Sequence, residues 1–348
     1  MKRHKHLYER VCSFENLHAA AIKALRGKRR KRPGSEFFAE MEDSLMALRE
    51  ELLSGSYRHG GYNYFQIHEP KNRMVAAAGF RDRVVHHAII RVIEPLFETR
   101  FIEDSYACRV DKGTHAGMRR AAGFARRFPY ALKCDIRKYF EHIDHEILTG
   151  LLGRVIGDER LLALLAGILA SHQDGDRVVV PEGGWPLFDH RVVRRGLPIG
   201  NLTSQFAANV YLDPLDHFVK HELRCKGYVR YMDDFLLFGH DRGQLREWGR
   251  AVREKVQSLR LEIHPDKYRL VPCDCGVDFC GFVVFGDGRI RVRRQTARRF
   301  HRRYRAKLAA VNARVGDMES LSRSVAAWCG HVRHAQSWRL RLAVLTMV

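Results

Sequence analysis

A chain of 348 residues, 45% apolar and 29% charged, has ample material for two or three lobes with hydrophobic cores. Lys and Arg outnumber Asp and Glu by 61 to 40, a formal charge of +21, which points to nucleic acid or an anionic membrane surface as partner. The membrane reading fails on length, because the longest apolar run, Leu161 to Ala170, is far short of the ~20 residues a span needs. The N-terminus lacks the apolar core of a secretory signal. Eight unevenly spaced Cys fit reduced thiols in a cytoplasmic setting better than a disulfide framework.

Along the chain, Ser13 caps a predicted helix with Phe14, Leu17, Ala21, Ile22 and Leu25 at helical spacing, ending at Gly27. Lys28 to Ser35 reads as an exposed basic linker. A second helix carries Phe37, Met41, Leu45, Leu48 and Leu52 on one face. Tyr62 to Ala78 is strand-like, broken at Glu69-Pro70, and Val84 to Phe97 is helical again. Tyr130 to Ile136 fits a buried strand, and Asp144 caps a helix through Ile147, Leu148, Leu151 and Leu152. His172 to Arg195 reads as a small hairpin or mobile insertion, and Thr203 to Leu223 as a helix. Tyr228 to Gly239 is two apolar runs around a polar tip, a hairpin. Asp241 then caps a helix with Leu245, Trp248, Val252, Val256 and Leu259 on one face. Two short strands are expected around Phe279 to Phe285 and Arg289 to Val292. In Arg289 to Lys307, ten of nineteen residues are basic and none acidic; Phe300, Tyr304, Leu308 and Val311 recur at helical spacing behind that basic face. The layout is α+β with an antiparallel sheet.

The chemistry concentrates in acids. Asp233-Asp234 sits between two apolar strands; a solvated hairpin tip is the ordinary alternative, since Asp is a favoured turn residue. Asp135 ends a third apolar strand. If these strands are neighbours, three carboxylates converge at one end of a sheet, a set of hard oxygens suited to Mg²⁺. Two such ions ~3.5–4 Å apart serve nucleotidyl transfer by activating a hydroxyl and stabilising leaving pyrophosphate. Cys273, Cys275 and Cys280, with His264 nearby, do not make a good zinc pattern. No Walker-type phosphate loop is present.

The segments DIRKYF (135–140), GLPIGNLTSQ (196–205), YMDD (231–234), HPDKY (264–268) and DFCGF (278–282) occur in that order, preceded by EPKNRMVAAAGFRDRVVHHAI and SYACRVDKGTHAG. Together they resemble the successive motifs of a reverse transcriptase, from about Phe65 to Phe285. Most members carry Gln-Gly-x-x-x-Ser-Pro in the fourth motif. The Ile199-Gly200 to Ser204-Gln205 form found here instead resembles the enzymes of diversity-generating retroelements, within the group II intron and retron-like bacterial group.

That resemblance implies a right-hand polymerase. Residues 1–34 would be a basic N-terminal helix and linker and 35–130 the fingers. The palm, with its antiparallel sheet, would span 131–288, the 172–195 hairpin insertion belonging to the fingers. Residues 289–348 would form a short, basic helical thumb. The implied activity is RNA-directed DNA polymerisation, error-prone at adenines and serving mutagenic retrohoming. Asp135, Asp233 and Asp234 would be catalytic and, with the Ile136 carbonyl, would hold two Mg²⁺ ions, Mn²⁺ being a substitute. Lys71, Arg73, Arg109, Phe140, Ile199, Gly200, Gln205 and Lys267 would serve the nucleotide. Phe140 would be the gate against a ribose 2′-hydroxyl and Lys267 a proton donor near pyrophosphate. Phe279, Cys280, Gly281 and Phe282 match the primer grip, and Arg298, Arg299, Arg302 and Arg303 would track the duplex. Implied partners are template RNA, primer or cDNA, dNTPs and a small basic helical accessory variability protein, with no membrane, in a bacterial or phage-encoded cytoplasmic setting. The alternatives are a retron or group II intron-like reverse transcriptase, or a catalytically silent RNA-binding scaffold.

Overall fold

The structure, a computed structural model, describes residues 3–28, 32–68, 72–172 and 194–346. Lys71 and nearly all of the insertion expected over 172–195 therefore lie outside the described residues. In chain order the elements are α1 (Leu7–Cys12), α2 (Phe14–Leu25), α3 (Arg32–Ala39), α4 (Met41–Ser54), β1 (Tyr62–Ile67), β2 (Arg73–Ala78), α5 (Phe80–Glu98), α6 (Thr114–Ala125) and β3 (Tyr130–Asp135). Then come α7 (Tyr139–His142), α8 (His145–Gly153), α9 (Glu159–Ala170), α10 (Leu202–His217), β4 (Gly227–Tyr231), β5 (Asp234–Gly239) and α11 (Arg242–Ser258). The chain closes with β6 (Arg269–Pro272), β7 (Val277–Phe279), β8 (Phe282–Val284), β9 (Ile290–Val292), α12 (Arg294–Asn312), α13 (Met318–Val332) and α14 (Trp338–Thr346).

Several local expectations need correcting. The basic linker over Lys28 to Ser35 is cut short by α3, in which Pro33 takes an early helical position where its missing N–H costs nothing. The single helix expected through Phe37 and Leu52 is two, broken at Glu40. The strand over Phe279 to Phe285 is a hairpin, because Cys280 (φ 51°) and Gly281 (φ 86°) turn the chain in the left-handed region. β6 was not anticipated, and the helix expected through Leu223 is α-helical only to His217, continuing as a π-turn over Phe218–Glu222.

The chain divides into two compact units. The first comprises Met1–Ile102, Arg137–Asp216 and Val256–Glu262. Side chains cap α2 and α8: Ser13 accepts from Asn16 N at 3.2 Å, and Asp144 from Glu146 N at 3.0 Å. Asp158 caps α9 through Leu161 N and also takes the first amides of α1, Leu7 N and Tyr8 N, at 2.8 Å each. Although burial opposes it, these amides hold its carboxyl below the ordinary range. α2 packs along α5, burying Leu17, Ala20, Ala21 and Ala24 on one side and Val84, Val85, Ala88 and Ile89 on the other. β1 and β2 form a two-stranded hairpin whose β1 side chains are mostly exposed.

The second unit comprises Glu103–Ile136, His217–Lys255 and Ile263–Val348. A four-stranded antiparallel sheet, ordered β4-β5-β3-β6, lies at its centre. One face (Ala131, Val229, Leu236, Phe238) packs with Met118, Ala121 and Ala122 of α6 and with Phe279 and Phe282 of the three-stranded β7-β8-β9 sheet. α11 lies against Leu132 on the opposite face, where the missing side chain of Gly249 leaves room for its neighbours: a Cβ there would stand 2.8 Å from Leu132 Cδ2 and 2.0 Å from the Tyr268 hydroxyl, so both would have to shift.

The basic helix α12 has a core of its own, formed by Phe300, Trp328, Val332 and Val344, with the Phe300 and Trp328 rings stacked at 4.1 Å and 1°. Trp328→Ala should cost about 3–5 kcal/mol, the range for a buried aromatic. Amide exchange should report this as selective loss of protection in α12–α14.

Candidate active site

β3 and β5 are direct neighbours, and the register sets Asp135 opposite Asp234. Paired residues project to the same side of a sheet, so the two carboxylates leave one face at the same end. Asp233 follows in the two-residue turn joining β4 to β5; its carbonyl accepts from Ile136 N at 3.1 Å, which ties the turn to the end of β3. Met232 opens that turn with φ 57°, a left-handed conformation that a β-unbranched side chain adopts only at a cost of order 1–2 kcal/mol. Local strain is thus held at the acidic tip by the sheet on both sides. Asp135 O accepts from His264 N at 2.8 Å, bringing the Pro265–Lys267 turn alongside.

Two lysines pair with carboxylates of this tip. Lys267 donates to Asp135 Oδ1, and Lys133 Nζ lies 3.4 Å from Asp234 Oδ2. Asp234 Oδ1 is buried and has no hydrogen-bond partner. Burial pushes the Asp234 carboxyl up to about 7; Lys133 opposes the shift, while the charges of Asp135 and Asp233 add to it. Among the described residues no group of three His, Cys, Asp or Glu side chains is gathered as a set of metal ligands. The donor chemistry nevertheless fits a hard divalent cation: carboxylates from two adjacent strands, one with an unsatisfied buried oxygen. Ile136, whose carbonyl the resemblance adds to the ligand set, is buried and bridges Ile263.

In the first unit, Arg73, Phe140 and Ile199 line one cavity of about 380 Å³, together with Tyr64, Lys138 and Leu197 among others. Three backbone segments are stitched together to make it. Leu197 N donates to Phe140 O at 2.8 Å, Gly196 N to Ile143 O at 2.9 Å, and Ala76 N to Ile199 O at 2.9 Å. Asn201 completes the join: its Nδ2 donates to Ala76 O at 2.7 Å, and its Oδ1 accepts from Ala78 N at 3.2 Å. Tyr139, not Phe140, fills the core, being 2% exposed. Gly200 sits at φ +115°, and a Cβ there would meet Val75 Cγ1 at 2.7 Å. Gly200→Ala should therefore destabilise by roughly 1–3 kcal/mol through strain and overpacking. A lowered melting temperature would report it.

Other expected site residues lie elsewhere. Gln205 is half-buried on the first turn of α10 and does not line the cavity. Arg109 Nη1 donates to Ser105 O at 2.9 Å in its own loop in the second unit. Lys267 joins the acidic tip. Phe279 and Phe282 are fully buried beneath the Cys280-Gly281 turn, so the hairpin presents backbone rather than aromatic rings; burial also raises the Cys280 thiol. Arg298, Arg302 and Arg303 are exposed on α12, with Arg299 half-buried. Sequence reasoning missed Asn201 and Lys133. Nothing local announced the first, and Lys133 alternates with Leu132 and Cys134 as any polar strand position does.

A family model described as reverse transcriptase (RNA-dependent DNA polymerase) matches residues 67–284. Protein YkfC of Escherichia coli is 26% identical over 70% of this chain and 71% of its own length. The group II intron-encoded protein LtrA of Lactococcus lactis is 25% identical over 51% of this chain, which spans only 28% of LtrA. Nuclear intron maturase 1 of Arabidopsis thaliana is 29% identical over 26% of this chain and 13% of its own length.

Proposed function

The chain belongs to the reverse transcriptase family, whose fold is the right-hand polymerase, and on that premise we propose that it copies a template RNA into cDNA with the carboxylates of Asp135, Asp233 and Asp234 at its centre. The observation that carries this reading is the β3–β5 register, which brings acids 99 positions apart in sequence face to face. In the same reading, 35–130 supply the fingers, 131–288 the palm and 289–348 the thumb.

Asp135, Asp233 and Asp234, with the Ile136 carbonyl, would hold Mg²⁺, which when bound supplies the charge that activates the primer 3′-hydroxyl and stabilises leaving pyrophosphate. The chain's own groups do the rest. Arg73 pairs with triphosphate oxygens, as guanidinium suits. Phe140 walls the cavity against a 2′-hydroxyl. The Cys280-Gly281 turn seats the primer end through its backbone. Lys267, held against Asp135, would donate a proton to the departing pyrophosphate. The exposed arginines of α12 follow the duplex backbone.

The finer assignment is to the diversity-generating type. Ile199 lines the cavity and Gly200 abuts β2, so the variant Ile-Gly…Ser-Gln motif begins in the cavity wall itself, which supports relaxed base selection. A small basic accessory protein would be the partner. Group II intron-type copying is the second reading, favoured by the likeness to LtrA. Primer extension on an RNA template with Mg²⁺, followed by product sequencing, separates them. Errors concentrated opposite adenine support the first, even fidelity the second, and no extension with template RNA and accessory protein supplied would refute both.

The raised Asp234 carboxyl gives a pH expectation. Cation binding requires the carboxylate, so below about pH 7 the Mg²⁺ needed for half-maximal extension should rise, approaching tenfold per pH unit for one displaced proton. The linkage to stability runs the other way. The folded state holds this proton more tightly than the unfolded one, so metal-free protein should gain stability as pH falls from about 7 toward the ordinary carboxylate range. Magnesium titrations and melting curves at stepped pH check both signs.

A further inference from the structure

Lys133 stands two residues before Asp135 on β3, on the same face by the strand period, where its neighbours along that face are the core residues Ala131 and Leu236. Its side chain is 17% exposed. Withdrawing an ammonium from water is costly unless oxygens replace the solvent, and here they do. Nζ donates to Asp278 O on β7 at 2.7 Å, lies 3.4 Å from Asp234 Oδ2 and 3.8 Å from Asp278 Oδ1. The Asp278 carboxylate in turn pairs with Arg293, the residue that precedes α12, and Arg293 N donates to Gly281 O at 3.1 Å. One chain of contacts therefore runs from the acidic tip through Lys133 and Asp278 to the β7–β8 turn and the root of the basic helix.

We propose that Lys133 is a positioning residue for polymerisation: it fixes the Asp234 carboxylate relative to the Cys280-Gly281 turn, so that the metal-holding end of the sheet and the seat of the primer end keep one spacing. The inference rests on the reading above of both elements. Its force is geometric, since a displacement of about 1 Å between reacting groups costs on the order of 10²-fold in rate. Lys133 touches neither nucleotide nor primer in this account; it acts through Asp234 and β7.

The test is single-nucleotide incorporation on a primed RNA template with Mg²⁺. Lys133→Met keeps the volume of the stem and removes the ammonium. The expected result is a loss of roughly 10²-fold in kcat with the dNTP KM and the melting temperature near wild type, and partial recovery in Lys133→Arg. Arg293→Met breaks the far end of the same chain, so the double variant should lose little more than the worse single one. Should Lys133→Met not fold, Asp278→Asn carries the test on a half-exposed site and should show a smaller loss, again in kcat alone. A wild-type kcat in Lys133→Met, a change confined to the dNTP KM, losses that multiply in the double variant, or a rate loss that follows the melting temperature and is not relieved by arginine would each overturn the inference. If wild type extends and Lys133→Met matches it, only this inference falls; if wild type never extends, the polymerase reading falls with it.

Discussion

Asp233→Asn should abolish templated primer extension, by about 10³-fold or more, while leaving the fold and RNA binding in place. The size follows from the charge removed. A cation that activates a hydroxyl and neutralises pyrophosphate is worth several kcal/mol of transition-state stabilisation, and each ~1.4 kcal/mol is tenfold in rate. The specificity follows from the position. Asp233 lies in the turn between β4 and β5, and its backbone carbonyl, which asparagine retains, accepts from Ile136 N at 3.1 Å. The isosteric amide should therefore shift stability by no more than roughly 1 kcal/mol. Extension assays, melting curves and RNA-binding isotherms on the same preparations make the comparison. Lost extension with retained binding separates a polymerase from a silent RNA-binding scaffold; undiminished extension would remove Asp233 from the ligand set.

The acidic tip was legible because its signals are short-range. Asp135 and Asp233-Asp234 each end an apolar run of strand length, and a carboxylate at the end of a buried strand has few structural reasons to be there. The caps at Ser13, Asp144 and Asp241 were legible for the same reason, since a side chain that satisfies an amide two or three residues on leaves its mark locally. What escaped depends on distant partners or on uncommon conformations. Asn201 is defined by amides and carbonyls more than 120 positions away. Cys280 takes a left-handed φ that cysteine seldom marks in a sequence, so the β7–β8 hairpin read as one strand. Lys133 reads as an ordinary polar strand position, because its partner, Asp278 O on β7, lies 145 positions away.

Phe140→Ala should open the enzyme to ribonucleotides, lowering its preference for dNTP over the matching rNTP by roughly 10–200-fold, the range for a pocket that gains or loses a small group. The prediction turns on which of two adjacent aromatics faces the cavity. Tyr139 is buried, and its hydroxyl donates to Ala208 O, so it holds α7 onto α10. Phe140 is half-buried and lines the 380 Å³ cavity beside Ile199 and Arg73. Truncating Phe140 enlarges a space already open to solvent, so its stability cost should fall well short of the ~3–5 kcal/mol of a core aromatic. Tyr139→Ala should incur that full cost. The pair is thus an internal control: ribonucleotide incorporation and melting temperature should separate, the first responding to Phe140 and the second to Tyr139. If Phe140→Ala melted early and still rejected ribonucleotides, the ring would be packing and not a gate, and sugar selection would have to come from another wall of the cavity.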